Sequence, residues 1–227
     1  MTDKHERPGI ILQHGDLGPP GVFEQWLRAR AIPYEVHAAW RDPLPDVSGA
    51  AFLASLGSIH SVTQSDPAWV PAEVEAVREA VADDVPVLGL CFGGQALSLV
   101  LGGGVDPLEQ TEIGWIPIDS LAADELPHGP WLHWHNELLR IPPGATVLGQ
   151  SPAGPAAFRH GRHLAVQFHP EATPAIVDGW ALADPALESH GVTREELAEQ
   201  SRRHGETARQ AAFVLFDDWW ARGPGRG

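Results

Sequence analysis

One thiol stands among the 227 residues, and its neighbours limit what it could do. Cys91 lies within residues 85–104, VPVLGLCFGGQALSLVLGGG, which read as a buried strand over 85–90, a turn, and an apolar helix opening at about Gln95. A nucleophile on a sharp strand-to-helix turn needs small residues two positions to either side, because the turn crowds those backbones; Gly89 and Gly93 stand there. Such a turn sets the sulfur at a helix N-terminus, where unpaired N–H groups and the helix dipole favour negative charge on it. The Phe92 N–H points at the space above the sulfur, as a donor to an oxyanion must. The competing reading is an inert, buried cysteine on a glycine-rich turn.

A cysteine nucleophile needs a base, and the base needs a group to orient it. Gln167-Phe168-His169-Pro170-Glu171 offers both. His169 ends the apolar run 163–168, which reads as a strand; Pro170 stops that strand, and Glu171 is near enough to turn back and hold the imidazole. The expectation is a Cys91, His169, Glu171 triad assembled from two distant segments.

Gly-Leu-Cys-Phe-Gly-Gly-Gln at 89–95, followed by Gln-Phe-His-Pro-Glu at 167–171, resembles the paired signature of class I (triad) glutamine amidotransferases, and among them the stand-alone guanylate-synthetase-like domains. The resemblance covers about residues 9–171 and weakens beyond. It implies hydrolysis of a γ-glutamyl carboxamide through a γ-glutamyl thioester. It also implies a flavodoxin-like architecture, an open and mostly parallel sheet flanked by helices, with an antiparallel edge excursion. By the same resemblance the loop at 55–62 faces the cysteine and supplies the second oxyanion donor from Gly57 or Ser58. The family's Gly-Gly-Pro is only partly matched there, since Ile59 stands where proline is common, so the choice of N–H stays open. By the resemblance Gln95 matches a glutamine that contacts the substrate, His135 is the closer match to the histidine of a turn whose backbone holds the ends of glutamine, and Asn136 and Glu137 are candidates for substrate contacts. Trp115 matches a segment that packs near the site.

The elements that must position these residues follow from pattern. Residues 10–12 read as a first buried strand, 14–21 as the loop beyond it, and 22–30 as a helix whose apolar face is Val22, Phe23, Trp26 and Leu27. Strands are expected at 34–39 and 50–54, and an amphipathic helix at 71–84 with Val74, Val77 and Val81 on one face. Glu73, Glu75 and Glu79 on that helix are expected to be solvated. This βαβ alternation is that of a parallel sheet. Residues 148–158 and 163–168 read as a final hairpin that returns His169 over Cys91. Beyond it, 172–227 forms a C-terminal helical extension with one helix capped by Thr193 and Glu196 and another near 207–220. The Trp219-Trp220 pair is expected in core packing.

Length fits one α/β domain over 1–227, with 1–8 and 223–227 expected to be disordered. A formal charge of -15 argues against nucleic-acid and membrane-surface partners. A single cysteine forms no internal disulfide, and no signal-peptide or membrane-length apolar run appears, so a cytoplasmic location is expected. His133 and His135 share a strand face at ligand spacing, but without a third ligand at recognisable spacing no metal and no cofactor is expected. Three readings of the activity follow. A glutaminase would feed ammonia to a separate synthetase subunit, since no ATP-binding segment is seen. A free-standing hydrolase would cut γ-glutamyl peptides or amines. A regulatory module would keep the fold without the chemistry.

Overall fold

A computed structural model describes residues 7–226. The strands and helices run, in chain order, β1 Gly9–Gln13, α1 Gly21–Ala29, β2 Tyr34–Ala38, β3 Leu53–Ser55, α2 Trp69–Ala82, β4 Val87–Leu90, α3 Phe92–Val100, β5 Gly104–Ile116, β6 Asp119–Ser120, β7 Trp131–Arg140, β8 Thr146–Ser151, β9 Gly154–His160, β10 His163–Val166, α4 Pro174–Ala183 and α5 Arg194–Arg222. The main sheet has the order β2-β1-β3-β4-β10-β9-β8-β6. The five strands from β2 to β10 are parallel, and β9, β8 and β6 extend the sheet antiparallel. β5 and β7 leave the sheet as a separate antiparallel ribbon. The fold is therefore the expected α/β sheet, and its antiparallel part takes two forms, an edge and a ribbon.

Burial explains the layers. The apolar run of β4 is covered on both faces, as a central parallel strand must be. α1 buries the four predicted residues, and its Phe23 and Trp26 meet Phe216 of α5 at 5.0 and 5.8 Å between ring centres. Phe52 meets Trp219 edge-on at 5.5 Å. Each fully buried ring contributes about 1.5–3 kcal/mol by leaving water; Trp219 belongs to the core and Trp220 packs against it half-buried, so the pair is in core packing as expected.

Several boundaries differ from expectation. The strand at 50–54 is placed at Leu53–Ser55, and the helix after Cys91 opens at Phe92, three residues before Gln95. The span 148–158 is two strands, β8 and β9, because the chain turns between Ser151 and Gly154. The two C-terminal helices expected after Thr193 are one helix of 29 residues, started by the predicted Thr193/Glu196 capping box. The added helix is α4, which Thr173 caps. Residues 1–6 and 227 of the segments expected to be disordered lie outside the described residues. Residues 224–226 form a short 3-10 turn, and the Arg162 guanidinium donates to the Gly223 carbonyl at 2.9 Å.

Candidate active site

Cys91 sits between β4 and α3 with φ 50° and ψ −104°, a strained positive-φ conformation that a side chain adopts only when its surroundings enforce it. They do so by crowding. A Cβ on Gly89 would lie 2.4 Å from the Gly93 carbonyl oxygen, and one on Gly93 would lie 2.1 Å from that of Ser55. The Cys91 N–H donates to Val166 O at 2.9 Å and the Gly93 N–H to Leu56 O at 3.2 Å, which ties the turn to β10 and to the loop after β3. The steric demand for two glycines is thus present in the fold.

His169 follows β10, and its N–H donates to Leu132 O of β7 at 2.8 Å. Its ring Nδ1 donates to Glu171 Oε1 at 2.7 Å, both side chains being buried. The Glu171 carbonyl in turn accepts from Val22 N at the start of α1. Burial alone would push the imidazole down, but the Glu171 carboxylate and the adjacent Cys91 sulfur outweigh it and hold His169 well above its ordinary range. The two segments expected to meet therefore do meet. Gly57 packs so closely on the imidazole that a Cβ there would lie 2.5 Å from Cε1.

Gln167, named in the sequence motif without a role, reaches the sulfur. Its Nε2 donates to Cys91 Sγ at 3.6 Å while its Oε1 accepts from Leu139 N at 2.9 Å. Gln95 is buried one turn into α3 and donates to the Glu137 carbonyl at 3.1 Å. The Glu137 carboxylate accepts from Ser61 Oγ at 2.9 Å, joining β7 to the loop that carries Gly57 and Ser58. Asn136 is exposed beside it. Trp180 of α4 stands edge-on to His169 at 4.8 Å. No spacing rule links a helix residue 11 positions later to the histidine. Trp115 lies one layer back, where its indole N–H donates to Ser201 Oγ of α5 at 3.0 Å and its ring packs with Leu132 and Ala172.

Two expectations are corrected. Glu73 is fully buried rather than solvated, while Glu75 and Glu79 are exposed. Its spacing with Val70, Val74 and Val77 places it on the apolar face of α2, a signal the sequence contained. The third ligand type missing beside His133 and His135 is Glu112, which lies directly opposite His135 on β5. The ligating atoms of the three residues fall within 4.8 Å of one another, so this cluster is where a metal could be held. As it stands, Glu112 Oε2 meets His133 Nδ1 at 2.8 Å, His135 Nε2 at 3.0 Å and Ser151 Oγ at 3.0 Å, and Oε1 accepts from Ala153 N at 3.3 Å. Burial would raise the Glu112 carboxyl, but the imidazoles of His133 and His135 hold it well below the usual carboxylate range. Burial pushes His133 down, against the pull of Glu112. Among the described residues no helix is long and apolar enough to cross a membrane.

The fold has counterparts among known proteins. The chain is 27% identical over 234 residues to GMP synthase [glutamine-hydrolyzing] of Aeropyrum pernix, covering 94% of this chain and 44% of that protein. It is 31% identical over 191 residues to the enzyme of the same name from Xanthomonas oryzae, covering 78% and 35%. The chain thus spans less than half the length of these relatives. A crystal structure of a glutamine amido transferase from Methylobacillus flagellatus superposes with a TM-score of 0.87 at 28% identity, over 96% of this chain and 95% of that one. The family description Glutamine amidotransferase class-I matches residues 60–185, more than half of the sequence, and both the strained cysteine and the histidine-glutamate pair fall inside it, so the chain belongs to the class-I glutamine amidotransferases.

Proposed function

We propose that the protein hydrolyses the side-chain amide of glutamine to glutamate and ammonia through a thioester on Cys91. The observation that carries this is a strained cysteine at a helix N-terminus beside an imidazole whose far nitrogen is tied to Glu171 at 2.7 Å. The Cys91 sulfur attacks the amide carbon. The oxyanion that forms is held by the Phe92 N–H and by the loop at Gly57 and Ser58, where one such donor is worth about 3–4 kcal/mol. His169, held protonated by Glu171, gives its proton to the departing nitrogen, and ammonia leaves. The imidazole then takes a proton from water as the hydroxyl attacks the thioester. Collapse of the second tetrahedral species returns the sulfur and releases glutamate. Gln167, donating to Sγ at 3.6 Å, holds the sulfur in place.

Gln95 and the Glu137 region bound the space for the amino-acid end of the substrate, with His135 and Asn136 on the same strand. The ammonia passes to a separate synthetase-type acceptor. The relatives' names support this by joining glutamine hydrolysis to GMP synthesis.

Cys91→Ala should lower ammonia release by about 10⁴-fold or more while the protein stays folded, as loss of the nucleophile does in comparable triads. Full turnover in that variant would end the proposal. Running glutamine beside γ-glutamyl dipeptides and amines on the same preparation fixes the substrate. Better turnover of the peptides would replace the glutaminase by the free-standing hydrolase. No Cys91-dependent turnover, with no adduct from a glutamine-analogue electrophile, would leave a regulatory module.

A further inference from the structure

Behind the oxyanion loop lies a second histidine-carboxylate pair that the reaction steps above do not use. The side chains of His14, in the loop after β1, and Glu73, on α2, are both fully buried. Glu73 Oε1 accepts from Ser55 Oγ at 2.6 Å, and Glu73 Oε2 meets His14 Nε2 at 2.7 Å. His14 Nδ1 meets the Gly57 carbonyl oxygen at 3.0 Å. The His14 ring is clamped between Trp69, stacked at 5.0 Å, and Phe92, tilted at 5.0 Å.

The proton inventory of this chain of contacts is constrained. A carbonyl only accepts, so His14 Nδ1 carries a hydrogen. The contact at Nε2 then needs a hydrogen on either the ring or the carboxyl, and in both arrangements the pair is neutral overall. Such a pair suits a dry interior, where an unbalanced charge would be costly. What the contacts fix is a direction. The 57–58 peptide is trans, and in a planar trans peptide the C=O and the following N–H point opposite ways. With the Gly57 carbonyl drawn to His14, the Ser58 N–H faces away from that ring.

We propose that His14 and Glu73 are positioning residues of the oxyanion hole, which hold the Gly57 carbonyl so that the Ser58 N–H, and not that of Gly57, is the second donor to the oxyanion on the Cys91 adduct. The proposal rests on the hydrolysis described above. Ser58 is fixed from its other end as well, because its Oγ accepts from His60 N at 3.1 Å.

The test separates positioning from general damage by using two reactions of the same sulfur. Glutamine hydrolysis passes through a tetrahedral oxyanion. Alkylation by iodoacetamide does not, since the carbon–sulfur bond forms as iodide leaves a saturated carbon. His14→Phe keeps an aromatic ring between Trp69 and Phe92 and loses both nitrogens. It should lower kcat for glutamine by about 10- to 100-fold, less than the 10²–10³ expected when a donor is removed outright. KM should stay within about twofold and the iodoacetamide rate should be unchanged, since the sulfur and its base keep their places.

Should that variant fail to fold, the pair Glu73→Gln and Glu73→Met gives the same answer. The amide still accepts from Ser55 and donates to His14 Nε2, so Glu73→Gln should stay within about threefold of wild type, whereas Glu73→Met should lose about tenfold in kcat. Wild-type kcat in His14→Phe or in Glu73→Met would overturn the proposal, as would a parallel fall in alkylation. If the wild-type protein shows no Cys91-dependent turnover, the proposed hydrolysis fails first and this inference with it.

Discussion

Two histidine-glutamate pairs flank the Gly57 peptide, and each closes at 2.7 Å. In His169 with Glu171 the partners are two positions apart, and the imidazole lies against the Cys91 sulfur. In His14 with Glu73 they are 59 positions apart, on different elements, and the imidazole points at a backbone carbonyl. The same contact therefore serves two ends. In the hydrolysis we propose, the first pair supplies and recovers a proton in each cycle, so the charge of its carboxylate is used. In the proposed arrangement the second holds the Gly57 carbonyl and sets only where an N–H points.

One substitution applied to both pairs breaks the comparison most sharply. Glu171→Gln should lower kcat by about 10²–10⁴-fold, because a neutral orienter stabilises the imidazolium poorly and permits the wrong tautomer. Glu73→Gln should have almost no effect. Equal losses at the two positions, read as kcat on glutamine, would mean that both pairs act through charge.

Another buried histidine supplies the contrast of a ring with no carboxylate partner among the described residues. His163 Nδ1 accepts from Val87 N at 3.2 Å, and burial, helped by the nearby His160, pushes its pKa down to about 4. Its unfolded value is near 6.5, so below that pH the unfolded chain binds a proton that the folded one refuses. The stability contributed by keeping His163 neutral is complete above about pH 6.5 and is lost as pH falls toward 4. His163→Asn keeps an acceptor near the Val87 N–H and removes the titration. The difference in unfolding free energy between wild type and this variant should shrink by roughly 2–3 kcal/mol over that window, measured by urea denaturation. A constant difference would show that His163 does not titrate as its surroundings require.

The smallest effect is expected at Glu112, His133 and His135, where one carboxylate meets two imidazoles and takes two further hydrogen bonds. Dialysis against a chelator should leave turnover and melting temperature unchanged. A melting temperature that falls on chelation and recovers with zinc would make the cluster a metal centre.

Features written in short stretches are legible in the sequence alone. The glycines around Cys91, the two-residue reach from His169 to Glu171 and the capping box at Thr193 each need only a few neighbouring residues, and the fold contains all three. Pattern fails where a residue's partner comes from elsewhere. Glu73 reads as one of three solvated glutamates because its partners, Ser55 and His14, lie on other segments. Glu112 is invisible as a partner of His135 because antiparallel register, and not sequence spacing, puts them face to face.

By itself the sequence determined the local features, a thiol on a crowded turn and an imidazole with a carboxylate beside it, together with the alternation of strand and helix that makes a parallel sheet. Backbone sterics and short-range hydrogen bonding decide those features, and both are local. Only the tertiary structure decided which way the Gly57 carbonyl points, because that depends on its being drawn toward a ring 43 positions away and on a carboxylate packed behind that ring. Such a direction arises from three segments meeting in a dry interior, where each polar atom must find a partner.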